Sequence, residues 1–353
     1  MNKILESPEL RDVPEVVAKP KPPKPMIEFF SPTQIVAYTP PEGFNLVGEY
    51  HVQRTAPFVI GGPAGVGKSR GAVALAVAGA TGSDWFGYKI NRQFKTMIVQ
   101  AENGRVRLKN EFAELDNAAL DEFVRVCSPP PYGFAFDQRP FCDLLRREIE
   151  KFQPDVFILD PFNRLARDDK AKDYAQAFDE LLSVLPIGDD APALGIVAHT
   201  RKPRPDERAS GRTLLNLLAG SYLLGSVPRT VFVMQSASDD TEDNRVVWTC
   251  CKNNDGALGA RSVWERRNGL FAAVSDFDWK TFDADDEKRR TVTLEDMDTL
   301  FEGGKRQLAR NTAVAQLIEL TGLGKTACYV ALKTDGKFSK NLSEENGLLA
   351  FQS

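Results

Sequence analysis

Eight consecutive residues, Gly62, Pro63, Ala64, Gly65, Val66, Gly67, Lys68 and Ser69, constrain this chain more than any others. They match the pattern G-x-x-x-x-G-K-[ST]. Glycines let a backbone curl until successive N–H groups point inward at a polyphosphate, and the helix that follows adds its positive N-terminal end. Lys68 is placed to reach the outer phosphates of ATP, and the Ser69 hydroxyl to ligate Mg2+. The flanks agree: residues 58–60 read as a strand and 70–80 as a helix. A second near-match, Gly324-Lys325-Thr326, has Glu319 where the first glycine is required. It belongs instead to a C-terminal turn between helices.

Around this loop, short apolar runs recur at 57–62, 96–102, 155–160, 193–200 and 229–235. Helical spacing separates several of them, at 70–80, 144–152 and 175–185. Near-continuous apolar strands alternating with helices predict an α/β fold whose parallel sheet is covered on both faces. Later strands near 246–252 and 262–274 look antiparallel and extend one edge. Residues 1–26 read as a Pro/Lys-rich tail and 27–275 as the core with an N-terminal arm. Residues 276–290 form a charged linker. In 291–353, helices at 312–320 and 325–332 precede a hairpin of 337–342 and 348–352, a winged helix-turn-helix order.

Composition narrows the class. With 42% hydrophobic and 27% charged residues, the chain fills a sizeable core and is neither a rod nor wholly disordered. Its most apolar stretch, 71–80, is far short of the roughly 20 residues that span a bilayer. Charge enters the N-terminus too early for a secretory signal. Five cysteines without a CxxC and only two histidines suggest neither a disulfide framework nor a zinc site. A cytoplasmic, membrane-free protein is expected. A formal net charge of −4 means that any nucleic-acid contact must come from a local basic patch.

A hydrolytic phosphate site needs two further groups. One carboxylate completes the metal shell from a neighbouring strand end, and Asp160, closing the run 155–160, fits. Another group must orient or deprotonate water. Pro161 follows Asp160 directly, so no glutamate stands there, and Glu102 at the end of the 96–101 strand is the candidate. In open α/β sheets ligands sit at the carboxyl ends of strands. His199, ending the next strand, is placed to sense the γ-phosphate. Each has an ordinary alternative: a solvated strand-end glutamate, a chance aspartate, or a buried structural histidine.

Phosphate loop, Glu102, Asp160 and His199, in that order, resemble the RecA superfamily. Within it the chain is similar to RepA-like (AAA_25) hexameric helicase ATPases of plasmids and mobile elements. The similarity spans about residues 40–272 and includes VQAENG, ILDPFNRLA, IVAHTRKP, GSYLLGSVPRTVFVM and KNNDGALG. It implies a RecA-like P-loop core, a homo-hexameric ring with ATP between subunits, and an arginine supplied by the neighbour. Arg229 is the residue carried over, with Lys252 a second trans-acting candidate. Related members place an arginine two residues after that lysine, where this chain has Asn254.

The resemblance also gives meaning to the basic stretch after His199. Arg201, Lys202, Arg204, Arg208 and Arg212 stand with two acidic residues where RecA-like proteins carry a DNA-binding loop. A second loop, 164–172, follows Asp160. The alternative for both is a solvated charge run. The resulting expectation is an ATP-driven motor on single-stranded DNA, a replicative helicase. A nucleotide-controlled initiator or loader that does not unwind is the second reading; a recombinase filament and a small-molecule kinase rank below. The C-terminal unit could read an origin duplex, hold a replication protein, or pack on the ring.

Overall fold

The computed structural model describes residues 28–131, 133–165, 171–189, 191–202, 210–238, 240, 242–287 and 292–352. The chain divides into two units, 1–40 and 41–353. The tail assigned to 1–26 lies outside the described residues. In the first unit, α1 (Pro32–Ala37) is closed by a capping box: Ser31 Oγ accepts from Gln34 N–H at 3.3 Å, and Gln34 Oε1 accepts from Ser31 N–H at 2.8 Å. No residue of α1 is buried.

The larger unit opens with an antiparallel pair, β1 (Asn45–Val47) and β2 (Val52–Gln53), whose Leu46, Val47 and Val52 enter the main core. A nine-stranded sheet follows. Its strands are β3 (Pro57–Gly62), β4 (Thr96–Gln100), β5 (Val124–Val126), β6 (Val156–Asp160), β7 (Ala193–His199), β8 (Thr230–Ser236), β9 (Arg245–Asn253), β10 (Ser262–Arg267) and β11 (Leu270–Val274). The order is β11-β10-β9-β8-β3-β7-β6-β4-β5, parallel from β8 to β5 and antiparallel from β8 to β11. This is the mostly parallel α/β sheet expected of a RecA-like core.

Strand periodicity explains both faces. Phe58 and Ile60, Val156 and Ile158, and Phe232 and Met234 point into one buried cluster with α2 (Lys68–Thr81). Their neighbours Val59, Phe157, Leu159, Val231 and Val233 point into another. That second cluster holds Leu145 and Ile149 of α5 (Arg139–Phe152) and Phe178 and Leu181 of α6 (Ala171–Leu182). A strand buried on both sides leaves no room for polar alternation, hence the continuous apolar runs.

Several elements differ from expectation for identifiable reasons. β5 has only three residues, too few to reveal a period. The helix α3 (Arg105–Phe112) buries only Glu111, so it shows no apolar stripe; α4 (Asn117–Leu120) is a single turn. The run 262–274 is two strands, split by Asn268 and Gly269 with φ of 47° and 73°, a two-residue turn requiring that chemistry. The segment read as a charged linker contains α8 (Trp279–Glu287). Phe277, Trp279 and Phe282 pack there against Ala237, Val247 and Val263 of the sheet edge, and Arg261 pairs with Asp283 at 2.8 Å. Its aromatic residues, hidden among charges, decide its placement. A short helix, α7 (Leu223–Ser226), precedes β8.

The C-terminal segment has its own core of Met297, Phe301, Leu317, Cys328, Leu332, Leu349 and Phe351. Its elements are α9 (Leu294–Leu300), β12 (Gln307–Ala309), α10 (Arg310–Thr321), α11 (Lys325–Ala331), β13 (Leu342–Glu345) and β14 (Leu348–Phe351). The first hairpin strand thus starts at Leu342 rather than near 337. Phe338 is buried in the preceding turn, whereas β13 buries only Leu342 and is otherwise polar. No described helix is long and apolar enough to cross a membrane.

Candidate active site

The phosphate loop leaves the end of β3, the central strand, and runs straight into α2. Gly67 caps α2 at φ 108°, a conformation closed to ordinary side chains, and no side chain caps the helix. The N-terminal end of a 14-residue helix is therefore presented to the pocket. Register aligns the strand tips: Gly62 lies opposite His199, and Gln100 opposite Asp160.

Side chains from four strand ends meet here. Lys68 Nζ donates to Pro63 O at 2.8 Å and lies 3.3 Å from His199 Nδ1. Burial lowers the Lys68 ammonium to about 8, although Asp160 and Glu102 oppose that shift. Burial likewise pushes the Asp160 carboxyl up to about 6, against a hydrogen bond from Ser69. His199 is lowered by its own burial and by Lys68. Glu102 is more exposed and accepts from Arg164 Nε at 3.2 Å. Lys68, Ser69, Glu102, Asp160 and His199 all line one cavity of about 860 Å³, within the range of nucleotide-sized sites.

Sequence reasoning passed over several residues that line this cavity or hold its walls. Gln100 is buried at the end of β4. Its Nε2 donates to Asn103 O and Cys127 O, both at 2.8 Å. Its Oε1 accepts from Glu102 N–H at 3.1 Å and Asn103 N–H at 2.6 Å. One amide thus fixes the turn that carries Glu102. The available signal was a glutamine ending an otherwise apolar strand. Arg266, on β10, donates from Nη1 to Gly65 O at 3.2 Å. Arg70 and Arg107 approach from α2 and α3 around the buried Glu111, which Arg107 Nε meets at 3.2 Å. Gly269 brings the hairpin close to α3: a Cβ on it would stand 2.3 Å from Glu111 O. These residues are far apart in sequence and only topology gathers them.

Two candidates lie elsewhere. Arg229 N–H donates to Pro57 O, at the start of β3, and its guanidinium forks onto Asp255 at 2.5 and 3.1 Å. The phosphate loop begins a full strand away, roughly 17–20 Å along the sheet. Lys252 sits beside Arg229's edge, paired across from Val231, and donates to Gly225 O and Ser226 O, both at 2.9 Å. Neither residue lines the cavity. Of the basic stretch, Arg201 bonds Asn216 O at 2.9 Å, while Lys202 and Arg212 are exposed. Arg204 and Arg208 lie outside the described residues, as do 166–170 of the second loop.

A profile of the AAA_25 family, an AAA domain, matches residues 27–204, just over half of the chain. That span contains Lys68, Glu102, Asp160 and His199 but not Arg229, Lys252 or Arg266. Among solved structures, a KaiC-like protein of the hyperthermophilic archaeon Pyrococcus horikoshii is similar at 12% identity, with a TM-score of 0.47 over 67% of this chain and 96% of that one. No curated protein matches the chain.

Proposed function

Because the chain belongs to the AAA_25 family of AAA domains, we propose that this P-loop ATPase is a motor that converts ATP hydrolysis into movement along single-stranded DNA. The observation that carries the reading is the division of the sheet into two ends. Lys68, Ser69, Asp160, Glu102 and His199 share one cavity, while Arg229 and Lys252 sit a strand length away. In a ring or filament of copies, that second edge is available to a neighbour's cavity; in a monomer it has no catalytic use. A homo-hexamer is the assembly this reading favours.

Mg2+ fits Ser69 and Asp160: a buried carboxylate held up to about 6 is one that a cation would relieve. The metal, when bound, neutralises charge on the outer phosphate oxygens. Glu102 accepts the proton of the attacking water as its oxygen bonds the γ-phosphorus. The bond from phosphorus to the bridging oxygen breaks, and ADP keeps that electron pair. Lys68 exchanges Pro63 O for phosphate oxygens, and His199 follows the change at the γ position.

The decisive measurement is ATPase rate with and without single-stranded DNA, together with fork unwinding. Stimulation and unwinding support the motor; ATP turnover indifferent to every DNA sinks it. The separately cored C-terminal segment favours a second reading, an initiator or loader with a winged helix. Footprinting of an origin without unwinding would select the loader.

Two outcomes test the site itself. Gln100→Leu keeps apolar bulk but frees the Glu102 turn, and a small misplacement of a catalytic group costs roughly tenfold to a hundredfold in rate. We expect kcat to fall by that factor with ATP affinity nearly intact; equal loss of both would assign Gln100 to folding alone. The second concerns pH. Asp160 must ionise to take Mg2+, so the affinity for Mg2+–ADP falls as pH drops through about 6. Without nucleotide the sign is opposite: a carboxyl raised in the folded state lends stability below the unfolded value of 3.8, and this is lost as pH rises through about 6. Titration calorimetry from pH 5 to 8 checks the first trend, and thermal melts the second.

A further inference from the structure

A single helical turn behind β6 touches the strand tips on both of its sides. Residues Phe162–Arg164 form a one-turn 3-10 helix after Asp160 and Pro161. Phe162 anchors it, fully buried against Tyr174 and Phe178 at ring distances of 5.7 and 4.7 Å. Asn163 donates from Nδ2 to the Tyr174 hydroxyl at 3.1 Å, and its Oδ1 accepts from the His199 N–H at 3.5 Å. Arg164 turns the other way and donates to Glu102 Oε1 at 3.2 Å. In the sheet, β6 has β7 on one side and β4 on the other. Adjacent side chains therefore hold the sensor end of β7 and the carboxylate beyond β4.

The contact on Glu102 is of a particular kind. A general base works through a free carboxylate oxygen. Here a guanidinium lies on one of them, occupying the oxygen and holding the carboxylate away from an attacking water. The pair is also exposed, at 64% for Arg164 and 43% for Glu102. Exposed ion pairs are weak and yield to competing anions. A phosphodiester offers guanidinium a charge-assisted, forked partner better than a single carboxylate oxygen.

We infer that Arg164 is a positioning residue that restrains Glu102 until a nucleic-acid phosphate takes the guanidinium, so that strand binding releases the base. This rests on the motor reading and supplies its coupling: the turn that reports on His199 through Asn163 also controls Glu102 through Arg164.

The test uses the full chain, saturating Mg2+–ATP and a polythymidine strand. Arg164→Ala should raise kcat without DNA by roughly threefold to fivefold, the size of an exposed ion pair. KM for ATP should stay unchanged, and stimulation by DNA should shrink toward none. Salt should raise the DNA-free kcat of the parent, whose ion pair it screens, and leave that of the variant flat. Arg164→Lys, which keeps the charge without the fork, should restore part of the restraint. A fall in DNA-free kcat, or no change in either state, overturns the inference. If the parent's ATPase ignores polythymidine while Arg164→Ala still raises it, the restraint stands and the motor reading fails; the reverse pattern sinks the restraint alone.

Discussion

Replacing Lys68 by methionine is expected to give a protein that holds nucleotide far more weakly yet unfolds at a higher temperature than its parent. Lys68 is buried with its ammonium brought down to about 8 from 10.5. At pH 7 the group is charged in both folded and unfolded chains, so the folded state carries the cost of desolvating it. That cost is on the order of 3 kcal/mol, net of the relief that Asp160 and Glu102 already supply. Methionine keeps the apolar stem and removes the charge. The price is binding: a charge-assisted contact to the outer phosphates is worth roughly tenfold to a hundredfold in affinity. Thermal melts should show a midpoint a few degrees above the parent without nucleotide, and a smaller further rise on adding Mg2+–ATP than the parent shows. The pH dependence fixes the cause. As pH rises through about 8, native Lys68 loses its proton before the unfolded chain does, so parent stability grows and the gap narrows. A variant that melts lower at pH 7, or a gap that ignores pH, would mean that Lys68 is held by favourable contacts in the empty site.

The residues that read most clearly in the sequence are those whose chemistry is local. The phosphate loop is contiguous, so Gly62 to Ser69 could be named outright, and Asp160, Glu102 and His199 followed because strand tips in a parallel sheet share one edge. The five central apolar runs became strands because burial on both faces leaves a continuous signature. What stayed hidden depends on distant pairing. Arg266 reaches Gly65 only because β10 and β11 fold back across the loop, and Gln100 matters only because its amide makes four hydrogen bonds, three to the turn at Glu102 and Asn103 and one to Cys127 beyond β5. Glu111 was invisible for another reason: a buried carboxylate on a polar helix looks solvated until its arginine neighbours are in place. Arg229 and Lys252 show the opposite case. Their chemistry could be suggested from the resemblance, but their distance from the cavity follows only from the register of β8 and β9.

Glu102→Gln should separate binding from turnover more sharply than any other single change. The glutamine keeps the shape and leaves the Gln100 cage intact, since that cage holds backbone groups of Glu102 and Asn103 rather than the carboxylate. It cannot accept a proton. Loss of a general base costs roughly a hundredfold to ten-thousandfold, so kcat falls by that factor while Mg2+–ATP still binds and still raises the melting temperature. Turnover at the parental rate would remove Glu102 from the chemistry. The same variant also isolates Arg164. If Arg164 acts only through the carboxylate, adding Arg164→Ala to Glu102→Gln changes nothing further, because the two substitutions act on one interaction and their effects cannot add. A double variant that is faster or slower than Glu102→Gln alone would place a second action of Arg164 somewhere other than on the base.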